Sequence, residues 1–236
     1  MEKGTIYLLP TLLSDSHPES VLPPEVVRRM HALRFFAVEN IRTARRYLIK
    51  SGMPVPVDEI TFVEYSKKTP DNELMDIMME VIQGKDLGVL SESGLPCIAD
   101  PGSRIVEKAH QFGVKTVPFT GPSSILLGLM ASGFSGQSFS FHGYLPIDDK
   151  KRDNRLRLLE KLVYREDQTQ IFIETPYRNM KMFKAMLKVL SASTRISLGI
   201  ELTGKNEQIM TYSVGEWKKM KVPPIHKRNV IFLIYK

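Results

Sequence analysis

Cysteine is nearly absent from this 236-residue chain: the single one, Cys97, has no partner for an internal disulfide, which excludes a disulfide-stapled scaffold. Histidine is sparse too. The five (His17, His31, His110, His142 and His226) are scattered without the paired spacing of a zinc site. No long apolar run occurs; the longest, Ile125 to Phe134, is well short of the roughly 20 residues that a membrane-spanning helix needs. The opening Met1-Glu2-Lys3-Gly4 leads directly into a strand-like segment and lacks the order of a secretory signal. The expectation is a cytoplasmic protein with no membrane association and no bound metal. Three signatures are also missing: G-x-G-x-x-G after a strand, the phosphate-binding G-x-x-x-x-G-K-[ST], and G-x-S-x-G. Dinucleotide dehydrogenases, P-loop nucleotidases and serine hydrolases of the nucleophile-elbow type fall away with them.

What is present is positive charge. The formal net charge is +7 and the isoelectric point is about 9.4, which favours an anionic partner. The basic residues are dispersed in small groups, among them Arg28-Arg29, Arg45-Arg46, Lys67-Lys68, Lys150-Lys151-Arg152, Lys218-Lys219 and Lys227-Arg228. Each group alone reads as a solvated helix end or loop. Together they incline the chain toward nucleic acid.

The first half has the rhythm of a parallel sheet crossed by helices. Strands are expected at Thr5–Leu9, Phe35–Val38, Ile60–Glu64, Leu87–Leu90 and Val114–Val117, with helices at Pro24–Leu33, Ile41–Lys50 and Ser103–Phe112 between them. A further helix follows Pro70, with Thr69 as its expected cap, apolar positions at Leu74, Ile77, Met78 and Val81, and Gly84 as its stop. After Pro118 the pattern changes. Helices are expected at Ser123–Ser132, Lys150–Val163 and Asn179–Leu190, and strands at Phe139–His142, Gln170–Ile173, Ile196–Ile200, Gln208–Tyr212 and Val230–Tyr235. Connections among the last three strands are too short for crossover helices. The fold class is therefore α/β in two domains. Residues 1–118 form a mostly parallel five-stranded sheet flanked by helices, and residues 119–236 a mixed sheet with helices, leaving a cleft at the junction.

Ligands of open parallel sheets gather at loops leaving the carboxyl ends of strands. Ser91 to Gly102 follows a buried strand and packs Gly94, Gly102, Pro96, Pro101, Glu92 and Asp100 into one loop. Such a loop is either a rigid main-chain ligand cradle or a structural double turn. Thr120-Gly121-Pro122-Ser123-Ser124 follows the fifth strand and opens a helix, with Pro122 suited to the first turn. Helix-start amides and two hydroxyls there can hold a polar ligand edge, or simply cap the helix. Cys97, without a nominated base, reads as a packed residue rather than a nucleophile.

Seven collinear segments resemble the tetrapyrrole methylase superfamily, and within it the branch that methylates small-subunit ribosomal RNA. They are Gly4 to Tyr7, Ser91 to Gly102, Pro118 to Ser124, Ala131 to Phe134, Phe141 to Pro146, Ile173 to Arg178 and Glu201 to Thr203. The resemblance implies a two-domain S-adenosylmethionine-dependent methyltransferase, commonly a homodimer, with the cofactor in the interdomain cleft and ribosomal RNA or the small ribosomal subunit as its partner. By position, the cofactor's surroundings would be Pro10, Leu12, Leu13, Glu92, Ser93, Gly94, Leu95, Ser123, Ser124, Glu174, Glu201, Leu202, Asn229 and Val230.

The chain departs from the branch where the substrate is expected. Its first loop reads Thr11-Leu12-Leu13-Ser14-Asp15, without the branch's glycine, and continues into a proline-rich insertion through Pro24. Its second reads Glu39-Asn40-Ile41-Arg42 where the branch has Glu-Asp-Thr-Arg. Methyl transfer from a sulfonium rests on positioning. If the acceptor is a ribose 2′-hydroxyl, Glu39 or Glu92 is the candidate base and Arg42 a phosphate contact. The alternatives are a methyltransferase acting on an anionic tetrapyrrole and a non-catalytic member that binds the cofactor or RNA.

Overall fold

The computed structural model describes residues 2–236 and divides into two compact units, the first ending at Pro122 and the second running from Ser123 to Lys236. The first unit runs β1 (Thr5–Leu9), α1 (Pro18–Val21), α2 (Pro24–Ala32), β2 (Phe35–Val38), α3 (Ile41–Lys50), a single 3-10 turn at Val57–Glu59, β3 (Thr61–Glu64), α4 (Asp71–Ile82), β4 (Leu87–Leu90), α5 (Ser103–Gln111) and β5 (Lys115–Pro118). Its strands form a five-stranded sheet in the order β3-β2-β4-β1-β5, parallel at every pairing.

Both faces of this sheet are covered, so its central strands are apolar without alternation. All residues of β2 and β4 are buried, whereas the edge strands β3 and β5 are exposed at their ends. On one face Ile6, Phe35, Ala37, Leu87 and Val89 pack with Leu74, Met78 and Val81 of α4 and Ile105 of α5. On the other, Leu9, Phe36, Val38 and Leu90 pack with Val26 and Met30 of α2 and Leu48 of α3. Successive strand residues thus serve opposite cores, which fixes the register of each strand.

The second unit contains α6 (Ser124–Ser132), β6 (Phe139–Tyr144), α7 (Asp149–Glu166), β7 (Thr169–Ile173), α8 (Asn179–Val189), β8 (Arg195–Ile200), β9 (Gln208–Ser213), α9 (Val214–Trp217) and β10 (Val230–Tyr235). Its sheet has the order β6-β7-β10-β8-β9. It is mixed: β6 and β7 are parallel, and the remaining pairs antiparallel. One face carries the larger core, where Leu156, Leu159 and Val163 of α7 and Met182, Phe183 and Met186 of α8 meet Phe172, Leu198 and Phe232. Phe232 lies on the central strand with its ring stacked 5.7 Å from that of Phe172, and it is fully buried. Phe232→Ala should therefore cost about 3–5 kcal/mol, read as a lowered midpoint in urea unfolding with an unchanged slope.

Several local expectations are corrected. Thr69 does not cap α4: its hydroxyl accepts from Ser66 N at 2.7 Å, closing the preceding turn, and Pro70 occupies the cap position. Pro122 lies before α6 rather than in its first turn, with Ser123 at the cap in an extended conformation and making no side-chain cap bond. Asp148, not a residue inside the helix, starts α7 by accepting from Lys151 N at 2.9 Å. The proline-rich insertion contains a turn of helix, α1. The unforeseen α9 is set by a reciprocal capping box between Ser213 and Glu216.

Candidate active site

In the first unit, the strand order places β2 beside β4 and β4 beside β1, so the loops leaving their carboxyl ends converge. Main-chain bonds join them. Thr11 N donates to Gly94 O at 2.8 Å, Ser93 Oγ donates to Leu12 O at 3.3 Å, and Glu92 N donates to Glu39 Oε1 at 3.1 Å. Tyr47 of α3 reinforces the first loop by donating its hydroxyl to Pro10 O at 2.8 Å. Asn40 caps α3 through Thr43 N at 3.2 Å, which turns Thr43 toward the β4 loop, where its hydroxyl donates to Glu92 Oε1. A cavity of about 210 Å³ opens here, lined among others by Glu39, Thr43, Tyr47, Ser91 and Glu92. The Ser91 hydroxyl is buried there without a hydrogen-bond partner.

The remainder of the β4 loop is held in unusual backbone geometry. Cys97 and Ala99 both take left-handed φ values, 69° and 66°, which non-glycine residues avoid. Such conformations persist only where surrounding bonds over-determine them. Here Cys97 N donates to Pro101 O at 3.3 Å and Tyr65, at the end of β3, donates to the same oxygen at 3.1 Å. Asp100 is the half-buried carboxylate of this strained segment.

Glu39, Glu92 and Asp100 are electrostatically coupled. Burial pushes Asp100 up to about 6, and the negative charges of Glu39 and Glu92 add to that while Lys67 opposes it. Glu39 is also raised, mainly by burial and further by Glu92, against the backbone N–H of Glu92 and the Lys67 charge. Burial raises the Tyr65 phenol, helped by Glu39, Cys97 and Asp100. Burial likewise raises the Cys97 thiol, with Asp100 adding to it. A carboxylate poised near neutrality at strand ends is suited to take a proton from a hydroxyl.

The residues nominated from the sequence divide into four groups. Pro10, Leu12, Leu13, Glu39 and Glu92 to Leu95 come together at the β1, β2 and β4 loops. Arg42 is exposed on α3, where it lines a shallow groove with Arg45, Arg46 and Ile49. Thr43, one residue on, donates its hydroxyl to Glu92. In the second unit, β7 and β8 end, and β10 begins, at the same end of the three inner strands. Glu174, Glu201, Leu202, Asn229 and Val230 gather there. Glu174 is buried, accepts from Thr175 N at 2.7 Å and pairs with Arg178. Glu201 takes a left-handed φ of 46°, pairs with Arg228 at 2.8 Å and donates its N–H to Asn229 O at 2.9 Å. Ser123 and Ser124 stand at the start of α6, Ser123 buried.

Asp100, Thr43 and Tyr65 were not nominated as site residues. For Asp100 the signal was present, a carboxylate between two glycines in the most unusual loop. For Thr43 and Tyr65 nothing in the spacing marks them, because their place depends on which strands are neighbours. Among the described residues, no cluster of three or more His, Cys, Asp or Glu side chains could hold a metal ion, and no helix is long and apolar enough to cross a membrane.

A doubly covered parallel sheet followed by a mixed sheet is a fold shared with solved structures. The structure of the methyltransferase CobJ superposes with a TM-score of 0.65, at 14% identity, covering 99% of this chain and 94% of that one. A conserved hypothetical protein from Aeropyrum pernix K1 gives 0.66 at 13% identity, covering 99% and 84%. The family profile for Tetrapyrrole (Corrin/Porphyrin) Methylases matches residues 39–217, and the chain belongs to this family as a methyltransferase. Within it, the chain is similar to proteins named ribosomal RNA small subunit methyltransferase I. The one from Vibrio cholerae is 36% identical over 211 residues, spanning 89% of this chain and 69% of the relative. That from Bacillus subtilis is 27% identical over 215 residues, spanning 91% and 69%.

Proposed function

We propose that this methyltransferase transfers the methyl group of S-adenosylmethionine to a ribose 2′-hydroxyl of ribosomal RNA in the small subunit, acting as a homodimer in the cytoplasm. The observation that carries the acceptor chemistry is the coupled carboxylate cluster at the β2 and β4 loops, with Asp100 at about 6. A hydroxyl attacking a methyl group must lose its proton, and we assign Glu39, Glu92 or Asp100 to receiving it. The names of the relatives support RNA as the acceptor, and the net charge of +7 suits a polyanion.

S-adenosylmethionine, when bound, supplies a methyl group activated by a positively charged sulfur. The first unit's loops fit such a ligand. Ser91 offers a buried hydroxyl with no partner, and the mutually bonded Pro10–Leu13 and Glu92–Leu95 segments form a preset main-chain wall. We assign Pro10, Leu12, Leu13 and Glu92 to Leu95 to holding it. In the second unit, Ser123, Ser124, Glu174, Glu201, Leu202, Asn229 and Val230 are the corresponding candidates. There the Thr203 hydroxyl is likewise buried without a partner. Rigid loops of this kind restrict the acceptor's approach and exclude water, a positioning contribution of several kcal/mol. Arg42, exposed beside the carboxylate cavity, is assigned to a phosphate of the incoming strand.

The test is transfer of labelled methyl from S-adenosylmethionine to isolated small subunits, run beside uroporphyrinogen and precorrin acceptors. Label in a ribose of ribosomal RNA is the expected result. Label only in a tetrapyrrole would replace the acceptor, and tight cofactor binding without transfer to any of them would make the chain a binding protein.

A further inference from the structure

Of the segment Glu174 to Arg178, whose glutamate is a candidate for holding the cofactor, Tyr177 has no assigned role. In Glu174-Thr175-Pro176-Tyr177-Arg178 the glutamate and arginine pair with each other, but Tyr177 projects outward and is 72% exposed. Two side chains from a distant loop stand beside it. The Lys227 ammonium lies over one side of the tyrosine ring, 5.8 Å from its centre. The His226 ring meets it edge-on, 6.5 Å away and inclined by 80°.

This arrangement is built rather than incidental. Lys227 N donates to Pro176 O at 3.0 Å, tying the two loops together. Lys227 takes a left-handed φ of 60° without being glycine, a strain that the surrounding bonds must hold. Those bonds come from Asn179, fully buried, whose amide donates to Ile225 O at 3.2 Å and Arg228 O at 2.7 Å. Arg228 is fixed in turn by Glu201 at 2.8 Å and by Asn206 O at 2.6 Å. Arg178 N closes the other loop onto Thr175 O at 2.8 Å. An exposed aromatic ring is thus carried on a backbone that has already met its ordering cost, which favours binding.

We propose that Tyr177, with Lys227 and His226 beside it, is a stacking platform for an unpaired base of the RNA acceptor; this rests on the RNA reading of the preceding subsection. The chemistry selects the ligand. A planar π face accepts a nucleobase without regard to its identity, and an adjacent ammonium accepts the phosphate that accompanies it. A cationic partner would be repelled by Lys227. Single-stranded RNA carries both the stacking face and the negative charge at the spacing of one nucleotide.

The experiment uses the full chain, a short single-stranded RNA bearing a 2-aminopurine reporter, anisotropy for affinity and fluorescence quenching for stacking. Base–aromatic stacking is worth about 1–3 kcal/mol per base, so Tyr177→Ala should weaken binding by about 5- to 150-fold and abolish the quenching. Tyr177→Phe should retain both, and Lys227→Ala should lower the salt slope by about one phosphate contact. Calorimetric titration with S-adenosylmethionine and the melting temperature should be unchanged in all three variants. Wild-type affinity and quenching in Tyr177→Ala would overturn the platform while leaving the RNA reading intact. Wild-type protein that binds S-adenosylmethionine but no RNA would overturn both, as would a Tyr177→Ala defect confined to a uroporphyrin probe.

Discussion

Glutamine in place of Glu39 is expected to lower the rate of methyl transfer by about 10²- to 10⁴-fold, the usual contribution of a positioned general base, with S-adenosylmethionine affinity retained. Glu39 Oε1 accepts from Glu92 N at 3.1 Å, and an amide oxygen can accept that same bond, so the loop junction survives the exchange. What is lost is the negative charge. Glu92→Gln tests the second carboxylate in the same way, and undiminished turnover in both would end the assignment of either as base. Asp100 is the third candidate and carries its own signature. Its ordinary value of 3.8 is pushed up to about 6 by burial and by Glu39 and Glu92, so kcat/KM should fall as pH drops through about 6. In Asp100→Asn that acid limb should move or disappear.

Stability gives an independent reading of the same carboxyl. The unfolded chain loses this proton near pH 4, whereas the folded chain holds it to about pH 6. Between those values ionisation works against the folded state, so the cost grows as pH rises and is fully present above about 6. Asp100→Asn should therefore raise stability at pH 7 relative to wild type, with the advantage shrinking toward pH 4. A variant that is more stable and less active is the expected pattern at a site that accepts strain for function. The left-handed Cys97 and Ala99 beside it belong to the same pattern.

Much of the fold was legible because hydrophobic patterning reports burial directly. The apolar runs at Phe35–Val38 and Leu87–Leu90 read as strands, and the structure buries every residue of both. Helix ends were less legible, since a cap is a contest between local partners. Thr69 has the chemistry of an N-cap, but the Ser66 amide claims its oxygen first. The site was legible as loops and illegible as a constellation. Glycine and proline spacing marked Ser91 to Gly102, while the meeting of Glu39 with Glu92 depends on β2 lying beside β4, in an order that skips β3. No periodicity encodes that neighbourhood. The same reason hid Tyr65, which reaches Pro101 from the end of β3, and Thr43, whose turn toward Glu92 follows from the Asn40 cap.

Gly121→Ala is expected to be the most damaging single-methyl change in the chain's ligand loops. A Cβ at that position would stand 2.1 Å from Pro10 Cβ and 2.5 Å from Pro10 Cγ, inside any permitted contact. Pro10 cannot rotate aside, because its ring is part of the backbone and its carbonyl is held by the Tyr47 hydroxyl at 2.8 Å. Relief must come from moving the Thr120–Pro122 loop away from β1, or β1 away from β4, and the second breaks the bond from Thr11 N to Gly94 O. Overpacking of this kind costs about 1–3 kcal/mol or more. Gly133→Ala is the control: its Cβ would meet nothing within 4 Å, leaving only the left-handed φ of 73°, a cost of about 1–2 kcal/mol. Urea unfolding should place Gly121→Ala at or below Gly133→Ala in stability, and calorimetry should separate them decisively. Loss of S-adenosylmethionine binding in Gly121→Ala, with affinity retained in Gly133→Ala, is the outcome expected if the apposed first-unit loops hold the cofactor. Equal affinities in the two variants would assign the close Gly121–Pro10 contact to folding alone.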